Sequence, residues 1–263
     1  MQEMRLNKYL SEMGICSRRE ADRLVEAGKI LVDGKPAVMG QKVSESQNII
    51  CNGRLVEKKD PPVLLAVNKP RGIVCTTSDK DRAENIVEFL NYPFRIYPIG
   101  RLDKDSEGLL LMTNQGDLVN KIMRAGNFHE KEYEVVVDKP ITARFLKQMA
   151  SGVPILDTIT RPCKTEQLDT CKFKIILTQG LNRQIRRMCQ ELGYSVLELK
   201  RTRIMNIKLG TLKTGAYRLV TPEEEAKLNR LLVNSSSVPH TGPLKQKNTD
   251  QSAMGHKDRR KKG

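Results

Sequence analysis

Gly100-Arg101-Leu102-Asp103-Lys104-Asp105-Ser106-Glu107-Gly108 runs straight into Leu109-Leu110-Leu111-Met112 and follows Ile96-Tyr97-Pro98-Ile99. The two apolar runs read as strands, and the polar stretch between them as a loop. A glycine at each end predicts a backbone that turns sharply or passes close to another segment. Asp103 lies mid-loop, with Arg101 two residues before it and Lys104 directly after. Cations on both sides hold a carboxylate ionised, which suits a nucleophile or base. A solvated turn whose charges neutralise one another has the same pattern, so the loop alone leaves both readings open.

The loop sits in a chain of 263 residues, 38% hydrophobic, enough for one large domain or two smaller ones. Aromatic residues make up 4% and Trp is absent, so the core must be aliphatic. A formal net charge of +15 points to a polyanionic partner. A membrane surface is the competing explanation, weakened by the lack of a long apolar span or a signal-like N-terminus. The charge is uneven: residues 1–60 carry a net +2, 61–233 a net +8 and 234–263 a net +5. Cys16, Cys51, Cys75, Cys163, Cys171 and Cys189 form no Cys-x-x-Cys pair, and the three histidines have no metal-ligand spacing. Free thiols, no metal site and a cytoplasmic location are therefore expected.

Outward from the loop the pattern is mixed α/β. Val63 to Val67 reads as a strand, closed by the turn Asn68-Lys69-Pro70-Arg71-Gly72, whose cations could meet phosphate. Helices are predicted over Ala83–Leu90, Asp117–Ala125 and Thr142–Ser151. Lys131-Glu132-Tyr133-Glu134-Val135-Val136-Val137 has strong β propensity. In Lys172–Thr178, Phe173, Ile175 and Leu177 fall on one face. On a helix through Arg183-Gln184-Ile185-Arg186-Arg187-Met188-Cys189, Ile185, Met188, Cys189 and Leu192 make an apolar face. Arg183, Arg186, Arg187 and Gln190 make the opposite one. Ser195–Ile204 reads as extended, with Lys200, Arg201 and Arg203 adding charge. Thr221-Pro222-Glu223-Glu224 is a capping box that opens a helix to about Leu232.

Before the charged Pro-Pro linker at 57–62 lies a smaller unit. Arg5–Met13 has a helical period. Ser17-Arg18-Arg19-Glu20 is a capping box opening a second helix, with Arg18, Arg19 and Arg23 on its surface. Asp33-Gly34 and Asn52-Gly53 each join two short apolar runs as tight turns. From Asn234 the composition cannot bury a core, and a disordered basic tail is expected over 234–263.

Gly-Arg-Leu-Asp-Lys-Asp-Ser-x-Gly-Leu resembles the catalytic motif of the pseudouridine synthases that modify ribosomal RNA. Lys131-Glu132-Tyr133 resembles that family's second motif, and Gly-x-Asn-Arg-Gln-Ile-Arg-Arg-Met its third. Arg-Leu-Asn-Lys-Tyr-Leu, Ser-Arg-Arg-Glu-Ala-Asp and Gly-Lys-Ile-x-Val-Asp-Gly, over about 45 residues, resemble the RNA-binding domain of small-subunit ribosomal protein four. The likeness spans residues 4 to about 233. Within the family, Arg-Ala-Gly-Asn, Val-Asp-Lys-Pro-Ile-Thr and the third motif look most like the F type of the large-subunit enzymes.

The resemblance implies an α+β fold: the small N-terminal domain at 1–60, then a catalytic domain at 61–233 with a largely antiparallel sheet and a central cleft. It implies a uridine of 23S ribosomal RNA as substrate, with a tRNA as a further candidate, and a monomeric protein. Asp103 would start the chemistry, Tyr133 would stack on the base, and Arg186 would pair with Asp103. Arg183 and Arg187 would meet RNA phosphates, and Arg101 would help open the RNA. Arg18, Arg19 and Arg23 would serve the N-terminal domain in the same way. The target base must leave its helix to be reached. Uracil both leaves and returns, so no cofactor is called for. A non-catalytic ribosome-assembly factor would have the same N-terminal domain and tail, but it would be free to lose Asp103. A dinucleotide enzyme is a poor third, since no Gly-x-Gly-x-x-Gly follows a strand.

Overall fold

The computed structural model describes residues 3–57, 60–76 and 84–236. The linker positions 58–59, the helix start expected at Ala83 and the tail from 237 lie outside them.

The N-terminal unit has helices α1 (Leu6–Glu12) and α2 (Arg18–Glu26). Its strands are β1 (Met4–Arg5), β2 (Ile30–Val32), β3 (Lys35–Pro36), β4 (Lys42–Val43), β5 (Ile49–Cys51) and β6 (Arg54–Leu55). The sheet order is β3-β2-β5-β6, with β1 paired to β4 alone. Both tight turns form as predicted: Asp33, Gly34, Asn52 and Gly53 all have positive φ, as this hairpin turn requires. Leu6, Leu10, Ala21, Ile30 and Ile49 close its own small core. The expected capping box is only half present. Ser17 Oγ accepts from the Glu20 amide at 3.1 Å, but the Glu20 carboxylate turns to Arg23 Nη1 at 3.0 Å instead of reaching back. The unit touches the rest of the chain through Lys8 Nζ to the Asp117 carboxylate at 2.8 Å and Arg95 Nη1 to Ser11 Oγ at 3.3 Å.

The larger unit is built on a nine-stranded sheet. Its strands are β7 (Leu64–Lys69), β8 (Tyr97–Ile99), β9 (Glu107–Thr113), β10 (Lys131–Val137), β13 (Lys164–Asp169), β14 (Lys172–Leu177), β15 (Val196–Ile204), β16 (Ile207–Lys208) and β17 (Tyr217–Leu219). A two-stranded hairpin of β11 (Pro154–Ile155) and β12 (Thr158–Ile159) stands apart. The main order is β13-β14-β10-β15-β9-β7-β17, with β16 on β15 and β8 on β9. Every pairing is antiparallel except β15 with β9, where Lys200 lies opposite Glu107 and Arg201 opposite Gly108. The sheet therefore has two antiparallel halves joined at one parallel seam.

Leu109-Leu110-Leu111-Met112 is apolar without a break because β9 is buried on both faces. Leu109 and Leu111 pack with α4 (Gly116–Met123) and α7 (Pro222–Leu232). Leu110 and Met112 pack on the other face with Ile86 and Leu90 of α3 (Ile86–Leu90). In the other half, Val135, Phe173, Ile175 and Leu177 meet α5 (Ala143–Ser151) and α6 (Gln184–Glu191). One sheet face thus carries two covers, α5 with α6 and α3. Tyr133 touches both clusters, where the two meet. Thr221 forms the capping box that the sequence indicates and Thr142 accepts from the Phe145 amide, while α3 starts later than expected, at Ile86, behind a capping box at Asn85. Among the described residues no helix is long and apolar enough to cross a membrane.

The seam depends on a glycine. Gly108 has φ +103°, and a Cβ there would collide with the Arg201 carbonyl and lie 2.7 Å from its amide nitrogen. Gly108→Ala should therefore cost about 3 kcal/mol or more, from backbone strain and overpacking together. Urea unfolding measures this, and a loss below about 0.5 kcal/mol would show that the strands separate freely.

Candidate active site

The cleft between the two covers has a volume of about 840 Å³, within the size range of small-ligand pockets. Its floor is the sheet face bearing Lys131, Tyr133, Leu177, Leu199 and Arg201, and the loop before β9 forms one wall with Asp103. The segment Gln179 to Ile185, leading into α6, forms another.

The loop is held by its backbone carbonyls. Lys69 is fully buried, and its ammonium donates to Ser106 O at 2.9 Å and Pro70 O at 2.7 Å. Burial pushes Lys69 below the usual lysine range, with Cys75, Asp105 and Asp103 pulling the other way. Arg201, 1% exposed, donates from Nε to Leu109 O at 2.7 Å and from Nη1 to Arg101 O at 3.4 Å. Arg186 donates from Nη2 to Asp105 O at 3.1 Å and from Nη1 to Val196 O at 3.1 Å. Three cations thus fix the loop's main chain. Gly100, at φ +78°, lets the loop pass against Met123 of α4, whose terminal methyl a Cβ would strike.

Two expectations about cations fail here. Lys69 does not meet phosphate, because β7 buries it and its ammonium donates to the carbonyls of Ser106 and Pro70. Arg201 does not add surface charge, because alternation along β15 turns it inward with Leu199. Arg203 is instead ion-paired to Glu130 at 3.0 Å and Glu132 at 3.4 Å.

The structure does not bring Arg186 onto Asp103 as the motif resemblance implies; it brings Arg183 there. Arg183 Nη1 lies 3.6 Å from Asp103 Oδ2, while both Arg183 Nη atoms reach the Asp105 carboxylate at 3.3 Å. Arg186 approaches the Asp105 carboxylate at 3.4 Å, with its side chain only 14% exposed. The cause is a helix boundary. Helix α6 starts at Gln184, and Arg183 caps it in the left-handed region at φ 48°. It therefore does not share the helical face assumed for Arg183, Arg186 and Arg187, and it points at the loop. Burial raises the Asp105 carboxyl, but the bond from Arg183 and the charge of Arg186 outweigh this and hold it below the usual range.

Of the remaining sequence candidates, Tyr133 is half-buried on the cleft floor and Arg101 is exposed on its rim. Arg187 folds back onto Asn182, with Nε to its carbonyl at 3.1 Å and Nη2 to Oδ1 at 3.2 Å. Arg18, Arg19 and Arg23 are exposed on α2. Arg18 bonds Asn7 at 3.3 Å, and Arg23 is paired with Glu20. No group of three or more His, Cys, Asp and Glu side chains among the described residues is arranged to hold a metal ion.

Known proteins share this layout. A family model described as RNA pseudouridylate synthase matches residues 63–191, and an S4 domain model matches 4–49. The dual-specificity RNA pseudouridine synthase RluF of Escherichia coli K12 is 55% identical, covering 89% of this chain and 81% of its own. The ribosomal large subunit pseudouridine synthase B of Bacillus subtilis is 37% identical, covering 86% and 96%. A crystal structure of a pseudouridylate synthase superposes with a TM-score of 0.64 at 26% identity, covering 87% of this chain and 99% of that one. The expected likeness to the F type agrees with these relatives.

Proposed function

The chain belongs to the RNA pseudouridine synthase family, and on that premise we propose that Asp103 is its catalytic carboxylate, with Arg183 as the partner that orients it. The enzyme isomerises uridine in RNA to pseudouridine: the C1′–N1 bond breaks, a C1′–C5 bond forms, C5 loses a proton and N1 gains one. The observation that carries the assignment is the position of Asp103. It faces the cleft from a loop whose main chain is fixed by Lys69, Arg186 and Arg201, so its carboxylate needs little reorganisation at the moment of reaction.

Tyr133 offers a ring face at the bottom of the cleft for a flipped base. Arg101, on the rim, fits the space a flipped base vacates. Residues 1–60 act as the RNA-binding domain, 61–233 as the catalytic domain and 234–263 as a basic tail that adds attraction without sequence preference. Arg18 and Arg19 contribute phosphate contacts, and Arg23 does so after release from Glu20. Arg187 contributes another on leaving Asn182. The protein works in the cytoplasm as a monomer.

The substrate is a uridine of large-subunit ribosomal RNA, with a tRNA as second substrate. The name of the Bacillus relative supports the first and the word dual-specificity in the Escherichia relative the second. Non-catalytic binding is not favoured, since relatives at this identity are named as synthases. Pseudouridine mapping of ribosomal and transfer RNA, from cells with and without the protein, tests the reading. Loss of a site in 23S RNA and of one in a tRNA is expected. An unchanged large-subunit map would overturn the ribosomal assignment.

A further inference from the structure

The cleft is lined by buried donors that neither Asp103 nor Arg183 uses. Alternation along β10 puts Lys131 and Tyr133 on the floor, with Leu177 opposite Lys131 and Arg201 opposite Tyr133. Gln179 follows two residues beyond Leu177. Gln179 Nε2 and Arg201 Nη2 are buried and have no hydrogen-bond partner. Lys131 is 4% exposed, and its ammonium, with three protons to donate, bonds His129 O at 3.1 Å. Buried donors are nearly always paired, so two without a partner beside a buried ammonium in one cavity mark the place where a ligand supplies the acceptors.

The reaction says which acceptors. A uracil ring presents two carbonyl oxygens. When C1′–N1 breaks, the electron pair stays on the departing ring and spreads from N1 onto those oxygens. If a carboxylate adds at C6 instead, the charge moves onto O4. Either route builds negative charge on a carbonyl oxygen, here above a floor with two cations. We infer that Lys131, with Gln179 and Arg201, forms an oxyanion site for the carbonyl oxygen of the detached uracil and holds the ring while it turns from N1 to C5. Lys131 donates a hydrogen bond and keeps its proton, so the electrons return to make C1′–C5 and nothing is consumed. The inference rests on Asp103 being the residue that opens the bond.

The charged and titratable neighbours of Lys131 are His129 before β10, Arg161 ahead of β13, Arg201 on β15 and Tyr133 beside it. Asp103 and Arg183 face it across the cleft. Burial, then the charges of Arg201 and Arg161, push the Lys131 ammonium down to about 8. A donor that loses its proton there should make turnover fall above about pH 8. A guanidinium in its place stays charged.

The test uses the full chain and total RNA from cells lacking the protein, with turnover followed at saturating enzyme by pseudouridine mapping. Lys131→Met should lower turnover about 10²–10³-fold, with unchanged RNA affinity and circular dichroism. Lys131→Arg should recover part of the rate and abolish the fall above pH 8. Gln179→Glu, which sets a carboxylate against the growing charge, should lose more than Gln179→Leu. Wild-type turnover in Lys131→Met, a persistent alkaline fall in Lys131→Arg, or full activity in Gln179→Glu would each overturn the oxyanion site. If these variants are active while Asp103→Asn is inert, only this inference fails. If Asp103→Asn turns over, the reading beneath it fails.

Discussion

Asp103→Asn should abolish pseudouridine formation, lowering turnover by at least about 10⁴-fold, the scale seen when a nucleophile is removed. The amide keeps the shape of the carboxylate and takes away its charge and basicity. Fold and binding should survive, because Asp103 does not hold the loop. That task belongs to Lys69, Arg186 and Arg201 through main-chain carbonyls, none of which the substitution touches. Arg183 also keeps its bidentate contact with Asp105. RNA affinity should be equal or slightly higher, since one negative charge leaves a cleft that receives a polyanion. The measurement is turnover at saturating RNA beside a binding isotherm. An Asn variant within tenfold of wild type would remove Asp103 from the chemistry.

Much of this arrangement is legible in the chain alone, and the rest is hidden for two physical reasons. The glycines at the ends of the loop announced a close approach, and Gly100 and Gly108 each lie against a neighbour that leaves no room for a Cβ. The Leu109–Met112 run reads as a strand, and its lack of alternation fits the cover that the structure shows on both faces. Periodicity identifies which side chains share a face only where the element's limits are known. Helix α6 begins one residue later than its pattern suggested, and that residue was Arg183. A left-handed cap turns it from the basic face of the helical pattern towards Asp103 and Asp105, a contact that neither the pattern nor the motif resemblance indicates. Buried cations were the other blind spot. Lys69 ends β7, which is buried at every position, and Arg201 stands at an inward position of β15. A lysine or arginine is almost never fully buried unless paired, and their partners are carbonyls of a loop distant in sequence. Sequence reading assigns such residues to the surface by default.

The proposed pair makes the sharpest test of the site. Arg183→Ala and Arg186→Ala should fail in different ways. The Arg183 side chain is 42% exposed, and its contacts are to the carboxylates of Asp103 and Asp105. Its loss should change stability by no more than about 1 kcal/mol, as for other exposed ion pairs. Turnover should nonetheless fall about 10²–10³-fold, because nothing then aims the Asp103 carboxylate. Arg183→Lys should recover little, since a point charge cannot span two carboxylates as a planar fork does. Arg186 is the reverse case. Its side chain is only 14% exposed, and it donates to Val196 O and Asp105 O. Removing it should cost about 2–4 kcal/mol by leaving those carbonyls without a donor and freeing one end of the loop. Its turnover loss should follow the unfolded or misplaced fraction and be partly regained at low temperature. Binding against salt supplies the control. A lost phosphate contact lowers the salt slope by about one, and an internal partner leaves it unchanged. Both variants should keep the wild-type slope. A slope lower by one for Arg183→Ala, with turnover intact at saturating RNA, would make Arg183 a phosphate contact that only rests against Asp103 when RNA is absent.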